Sequence, residues 1–215
     1  MHHCGTGRMV FRKHDKQALS LQPSAENASL FALWQRARDG QGQVQRESLG
    51  LRELSAFHEK LFIMERLGED GFRLRLAGGQ INRVFGMNMW GRDLREKASD
   101  FEAIVLGRLF NLCLDEAEPI LARMRLLRRS KEPLVAELLG LPLVGRYNHR
   151  QILGALHIIQ NCDENFGKFD SISAIQLTAT RILTCELPNN LLFFPFAKEY
   201  FAQNSMNSDE FANTR

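Results

Sequence analysis

The chain has 215 residues, of which 44% are hydrophobic and 25% charged, and its formal net charge is +3. That length suits one domain with tails, and the composition suits a packed globular core. The charge is too mild for a dedicated nucleic-acid protein, which needs a concentrated basic face, and no apolar run approaches the ~20 residues of a membrane-crossing helix.

Residues 1–23 carry His2, His3, Arg8, Arg12, Lys13, His14, Asp15 and Lys16 without a continuous apolar stretch. A secretory leader requires such a stretch, so the segment reads as a disordered tail. Ser24 is placed to cap a helix whose Leu30, Phe31, Leu33, Trp34 and Ala37 form a broad apolar stripe. Asp39-Gly40 and Gly42 end it, because glycine enters the left-handed region without steric cost. A second short helix is expected over 51–58, with Leu51, Leu54 and Phe57 on one face.

Residues 61–67 read as a strand and 68–71 as a turn. Residues 72–77 alternate, with Phe72, Leu74 and Leu76 on one side and Arg73 and Arg75 on the other, which predicts a hairpin. Short irregular helices follow at 80–85 and 90–95. A longer helix is expected over 100–117: Ser99 and Glu102 have capping-box spacing, and Phe101, Ile104, Val105, Leu109, Leu112 and Cys113 form its inner face. Three further strands are expected at 119–127, 134–141 and 152–160. The threonine-rich stretch 172–187 suits one more, since branching at Cβ is tolerated in extended backbone.

Five strands, with helices gathered between the second and third, predict an α+β fold: one antiparallel sheet with helices on one face and an N-terminal flanking helix. The expected division is a tail at 1–23, flanking helices at 24–58, a core at 59–160, an extra strand or extension at 161–187 and a C-terminal tail at 188–215.

These elements carry a family pattern. Leu33-Trp34-Gln35-Arg36-Ala37-Arg38-Asp39-Gly40 and Leu51-Arg52-Glu53-Leu54 are followed by Gly71-Phe72-Arg73-Leu74-Arg75-Leu76-Ala77-Gly78, Val84-Phe85-Gly86 and Trp90-Gly91-Arg92-Asp93-Leu94. In order and spacing the run resembles the PAS family, in particular its stand-alone subfamily common in α-proteobacteria. Trp90 stands where that subfamily usually has threonine, and Leu74 where it often has tyrosine. Ile152-Leu153-Gly154-Ala155-Leu156 resembles the last PAS strand, so the likeness spans about 25–160. It implies a five-stranded PAS sheet and a sensing or interaction role in bacterial signalling, with a homodimer and a signalling protein as partners.

Four cysteines, Cys4, Cys113, Cys162 and Cys185, lie far apart. No close pair exists to hold zinc, and the spacing is not that of a disulfide scaffold, which points to a reducing, cytoplasmic setting. No metal site is expected. The helix 100–117 has no histidine to ligate haem, and residues 78–97 lack the cysteine of a flavin photosensor, so haem and flavin are both disfavoured and any cofactor is left unassigned. Asn161-Cys162-Asp163 falls after the last core strand. No nucleophile elbow, zinc-helix motif or phosphate loop occurs, which argues against an enzyme.

Three candidate surfaces remain. The family fold implies a small-ligand pocket between helices and sheet, walled by Phe85, Trp90, Leu106, Phe110 and Cys113. Its floor comes from Leu74, Leu156 and Ile158, or in the opposite parity includes His157. Arg123, Arg125, Arg128 and Arg129, with Lys131, form a cationic rim suited to an anionic nucleotide. The alternative for both is a filled core and a solvated outer face. Leu30, Phe31 and Trp34 are candidates for dimerisation, and Leu191-Leu192-Phe193-Phe194-Pro195-Phe196 with Tyr200-Phe201 is a very apolar run for a tail, suited to a contact or to docking on its own domain.

Overall fold

The structure is a computed structural model, and it describes residues 21–68, 71–129, 131–160 and 171–183. Helix α1 (Ala25–Arg36) leads through a 3-10 turn to the single-turn helix α2 (Leu51–Leu54). The hairpin β1 (Leu61–Leu67) and β2 (Gly71–Ala77) is followed by α3 (Gly79–Phe85) and α4 (Asp100–Asp115). The chain then runs through β3 (Ile120–Arg128), β4 (Leu134–Val144), β5 (Arg150–Gln160) and β6 (Ile172–Ile182). The six strands form one sheet in the order β2-β1-β5-β4-β3-β6, with every neighbouring pair antiparallel. The expected α+β sheet is present, and β6 extends it by lying along β3.

Alternation along the strands feeds two cores. Ile120, Ala122, Met124 and Leu126 of β3, with Ile152, Leu156 and Ile158 of β5, face α3 and α4. Leu121 of β3, Leu139, Leu141 and Leu143 of β4, and Leu153 and Ala155 of β5 face the other way, where α1 brings Leu30, Leu33 and Trp34. A strand buried on both faces reads as a continuous apolar run, and 138–143 of β4 (Leu-Leu-Gly-Leu-Pro-Leu) is such a run. The sheet is therefore covered on both faces.

Two helices carry local capping devices. Ser99 Oγ accepts the Glu102 amide at 3.4 Å at the start of α4, as the capping-box spacing predicts. Gly86 closes α3 in the left-handed region at φ 68°. Ser24 departs from expectation, because it is the residue before α1 but its side chain makes no cap. Its amide instead donates to Glu137 Oε1 at 2.6 Å, and its hydroxyl meets His157 Nδ1 at 3.1 Å.

Glu137 is fully buried beneath the start of α1. It also accepts from Asn27 Nδ2 at 2.9 Å and pairs with Arg123 Nη2 at 3.1 Å. A carboxylate at a helix N-terminus is favoured by the unpaired amides and the dipole there, and here it takes the place of a local cap. At the other end of the helix, Trp34 Nε1 donates to the Pro142 carbonyl at 2.8 Å. Thus α1 is tied at both ends to β4.

The sheet is tightest at Gly154, where an added Cβ would come within 1.9 Å of the Phe62 ring, itself fully buried. Gly154→Ala is expected to force Phe62 off its rotamer and cost about 1–3 kcal/mol, measured by urea denaturation. Glu137→Ala leaves Arg123 and Asn27 without their buried partner and is expected to cost roughly 3 kcal/mol. His157 faces Ser24, Glu26, Lys60 and Glu137; burial and the Lys60 charge hold its pKa below the ordinary 6.5, against the pull of the two carboxylates. The folded chain thus prefers neutral imidazole. Its contribution is complete above pH 6.5 and shrinks as pH falls below it, so melting curves should fall more steeply between pH 6.5 and 5 for the wild type than for His157→Gln.

Candidate functional site

The interior between helices and sheet is closed. Phe85, Leu94, Leu106, Met124, Leu138 and Leu156 surround a void of about 10 Å³. A single water needs at least ~10–15 Å³ by this measure, so this void among the described residues is too small for a small molecule. Of the expected pocket residues, Phe85 and Leu106 converge on this void, while Phe110 and Cys113 are buried in the same core without lining it. Burial drives the Cys113 thiol pKa well above its ordinary value, leaving a small, unreactive hydrophobe. Trp90 is 65% exposed on the glycine-flanked segment before Gly91 and walls nothing. His157 projects to the opposite face, where it meets Ser24 and Glu26. Leu74, Leu156 and Ile158 do lie on the helix side, as filled core.

The arginines divide. Arg123 lies on the face opposite the helices and is engaged by Glu137 and by the Gln22 carbonyl at 3.2 Å. Arg128 is buried at the end of β3, beyond an irregularity in the β3–β6 register, and its Nε donates to the Glu132 carbonyl at 2.8 Å. Arg125 and Arg129 are exposed. The four do not form one convergent rim, and a buried carboxylate already pairs with Arg123. The α1 residues are likewise committed within the chain: Leu30 and Trp34 are buried against the sheet, and half-buried Phe31 stacks on Trp34 at 5.9 Å. Among the described residues no group of three His, Cys, Asp or Glu side chains could hold a metal ion, and no helix is long and apolar enough to cross a membrane.

The large concavity lies on the other side of the sheet. Beside α1, the outer surfaces of β1, β5 and β4 are covered only in part by the 46–58 segment. A groove of about 370 Å³ remains, within the size range of ligand and peptide pockets. Its floor is Leu61, Ile63, Leu143 and Leu153, and Leu49, Leu51 and Leu54 form one wall. Arg46, Ser55 and His58 supply the polar margin. Leu51 is 86% exposed at the mouth.

Leu76 closes the far wall, and a bulge puts it there. Ile63 pairs with Leu76 and Met64 with Leu74, so Arg75 is the extra residue on β2 and the alternation inverts across it. Phe72 and Leu74 enter the helix-side core while Leu76 turns outward, 43% exposed, into the groove. The expected grouping of Phe72, Leu74 and Leu76 on one face is corrected by this bulge. A bulge redirects one side chain where a regular strand could not.

The adjoining row is charged. Glu65, nearly buried, meets Arg73 Nε at 2.6 Å, His149 Nε2 at 3.0 Å and Arg75 Nη1 at 3.7 Å. Burial raises its pKa, but the hydrogen bonds from Arg73 and His149 and the arginine charges outweigh this and hold it below the ordinary value. One carboxylate facing two guanidiniums and an imidazole makes this row beyond the groove net positive, while Arg46 stands at the groove margin itself. The groove is apolar inside and cationic at its margin.

The family comparison agrees with this architecture. The PAS domain family model matches residues 22–157, which takes in α1 and all of β1 to most of β5. A solved structure of an RsLOV point variant is similar at 15% identity and a TM-score of 0.38, over 66% of this chain and 73% of that one. No curated protein matches the chain. With the family pattern matched over more than half of its length, and with the antiparallel sheet and flanking helices in the corresponding order, this chain belongs to the PAS domain family.

Proposed function

We propose that this PAS domain is a non-catalytic adaptor in signalling, which works by binding a protein segment on the outer face of its sheet rather than by holding a small molecule in its core. The observation that carries the reading is the contrast between a helix–sheet interior of about 10 Å³ and an outer groove of about 370 Å³. An apolar trough with a cationic margin suits an amphipathic segment with acidic flanks: the apolar side chains provide the burial and the margin steers orientation. A reducing, cytoplasmic setting agrees with a buried Cys113 thiol.

The mechanism follows from shared strands. The floor of the groove is built from β1, β4 and β5, and α1 is clipped to β4 at Glu137 and Pro142. A segment wedged against Leu143 and Leu153 presses on the strands that hold α1. It thereby changes the balance between docked and released α1, a population shift between two packings of the same face.

Two measurements test the reading. Native mass spectrometry of the purified chain should return the bare mass, and titration with purine nucleotides should produce no calorimetric signal. A stoichiometric retained small molecule would refute the closed core. On an array of apolar, acid-flanked peptides the chain should retain a subset with micromolar affinity. Leu76→Glu should weaken that binding by at least tenfold while shifting stability by no more than about 0.5 kcal/mol, because the side chain is already partly exposed. Equal binding by Leu76→Glu and wild type would remove the groove from the account.

A further inference from the structure

We infer that the chain carries a second, small site at the rim of the sheet, which takes a compact neutral amide and holds α1 in its docked position. The site itself stands apart from the groove; its bearing on signalling rests on the reading that α1 is the part that moves.

The site is a cavity of about 70 Å³. Its walls come from four places that the fold brings to one end of the sheet: Trp34 of α1, the segment 42–44, the last turn of α4 and the β4–β5 connection. Two ties assemble it. The Val144 amide donates to the Val44 carbonyl at 2.9 Å, which lays 44–45 beside the end of β4. Arg150 Nη1 donates to the Leu114 and Asp115 carbonyls at 2.8 and 2.7 Å, which satisfies carbonyls that the end of α4 leaves without an intrahelical partner.

Gln151 marks the cavity as a ligand site. It is only 6% exposed, it lines the cavity, and among the described residues its Oε1 has no hydrogen-bond partner. Buried polar atoms are nearly always paired and costly when they are not, so an unpaired acceptor facing a void calls for a donor from outside the chain.

Size and chemistry narrow the occupant. About 70 Å³ is several times the ~10–15 Å³ that one water needs, which admits a molecule of roughly five non-hydrogen atoms. Among the described residues no carboxylate lines the cavity to pair with a cation, and Arg150 repels one. An anionic carboxylate has no hydrogen to offer Gln151 Oε1. A primary amide meets both demands: its NH2 donates to Gln151, its carbonyl accepts from the Asn148 or Gln43 amide, and its alkyl part packs on Val44, Leu114 and Leu143. Trp34 and Pro142, whose hydrogen bond ties α1 to β4, both line the cavity, and Leu143 also belongs to the groove floor. A site built from helix and sheet together exists only while the helix is docked. Its ligand therefore favours the docked state and opposes a partner that releases α1.

The test is an NMR titration of the full heavy-nitrogen-labelled chain with acetamide, and in parallel with acetate and methylammonium. The two tryptophans give two indole N–H signals, and Trp90→Phe identifies that of Trp34. A ligand this small binds at about millimolar strength. Acetamide should shift the Trp34 indole and Gln151 side-chain signals saturably, with the two ions at least tenfold weaker. Gln151→Leu removes the acceptor, and Val44→Ile extends a side chain into the cavity. Each should weaken acetamide at least tenfold while the Trp34 signal of the free protein shows α1 still docked. At ten times the dissociation constant, hydrogen exchange of the α1 amides should slow about tenfold, and a groove-binding peptide should lose at least threefold in affinity.

Shifts that never saturate, or that all three probes produce alike, mean that the cavity holds only water and overturn the site. So does acetamide affinity unmoved by both variants. Saturable binding with unchanged α1 exchange overturns the hold on α1. Slowed exchange with unchanged peptide affinity upholds the site and its hold on the helix, and counts instead against the coupling of groove to α1 in the preceding reading.

Discussion

Both faces of the central strands are apolar, and that constraint orders everything else. Over Leu121 of β3, Leu139, Leu141 and Leu143 of β4, and Leu153 and Ala155 of β5 the outer face is apolar as well, so this part of the sheet cannot be left to water as antiparallel sheets often are. The helix-side residues are met by α3 and α4 in a core that closes to nearly nothing. The outer residues need a second cover, and α1 supplies it over β4 and β5. A twelve-residue helix spans only about 18 Å, too short and narrow to shield six strands. The uncovered remainder on β1, β5 and β4 is the groove. It follows from the mismatch between the width of the apolar face and the width of its lid.

Polar groups enter this apolar face only where they do structural service. Glu137 is buried where three donors converge on it, the Ser24 amide at the helix start, the Asn27 amide group and the Arg123 guanidinium, with His157 beside them on Ser24. Glu65 plays the matching part beyond the groove, satisfied by Arg73 and His149. Their arrangement fixes where α1 sits and which way the outer charges point.

Much of this was legible in the residues. The hairpin, the long helix with its Ser99 cap and the three later strands follow from alternation, capping and turn chemistry, and the strand boundaries fall within a few residues of expectation. What escaped was parity and partnership. Leu76 was assigned with Phe72 and Leu74 because alternation is a local rule, and the bulge at Arg75 is set by pairing with β1, which no local window contains. Ser24 was assigned a capping side chain because its type and position suit one; a carboxylate 113 residues away took the role. Trp90 was placed in a pocket wall by family analogy, but its segment bends the indole out to solvent. The outer groove had one sequence signal, the double-sided apolar runs of β4 and β5, which announce that something must lie on the far face without naming what leaves part of it open. Expectations for 1–20, 161–170 and 184–215, Cys4, Cys162 and Cys185 among them, lie outside the described residues.

The closed interior changes where a signal can enter. A domain with a chamber between helices and sheet is driven from that chamber outward. Here the helix-side packing has no space to respond, and packed interiors transmit strain rather than absorb it. The part of the fold that can exist in two arrangements is the outer layer, held by a few polar clips at the ends of α1 and by apolar contacts that end at the groove edge. Loosening α1 exposes Leu30, Leu33 and Trp34 on the helix and leaves Leu121, Leu139 and Leu141 uncovered on the sheet, so release is costly unless another apolar segment takes its place. The groove floor and the α1 contact belong to one continuous apolar cluster, so in the proposed function a segment on the groove would act on α1 through that shared surface and would have to offer apolar surface in exchange.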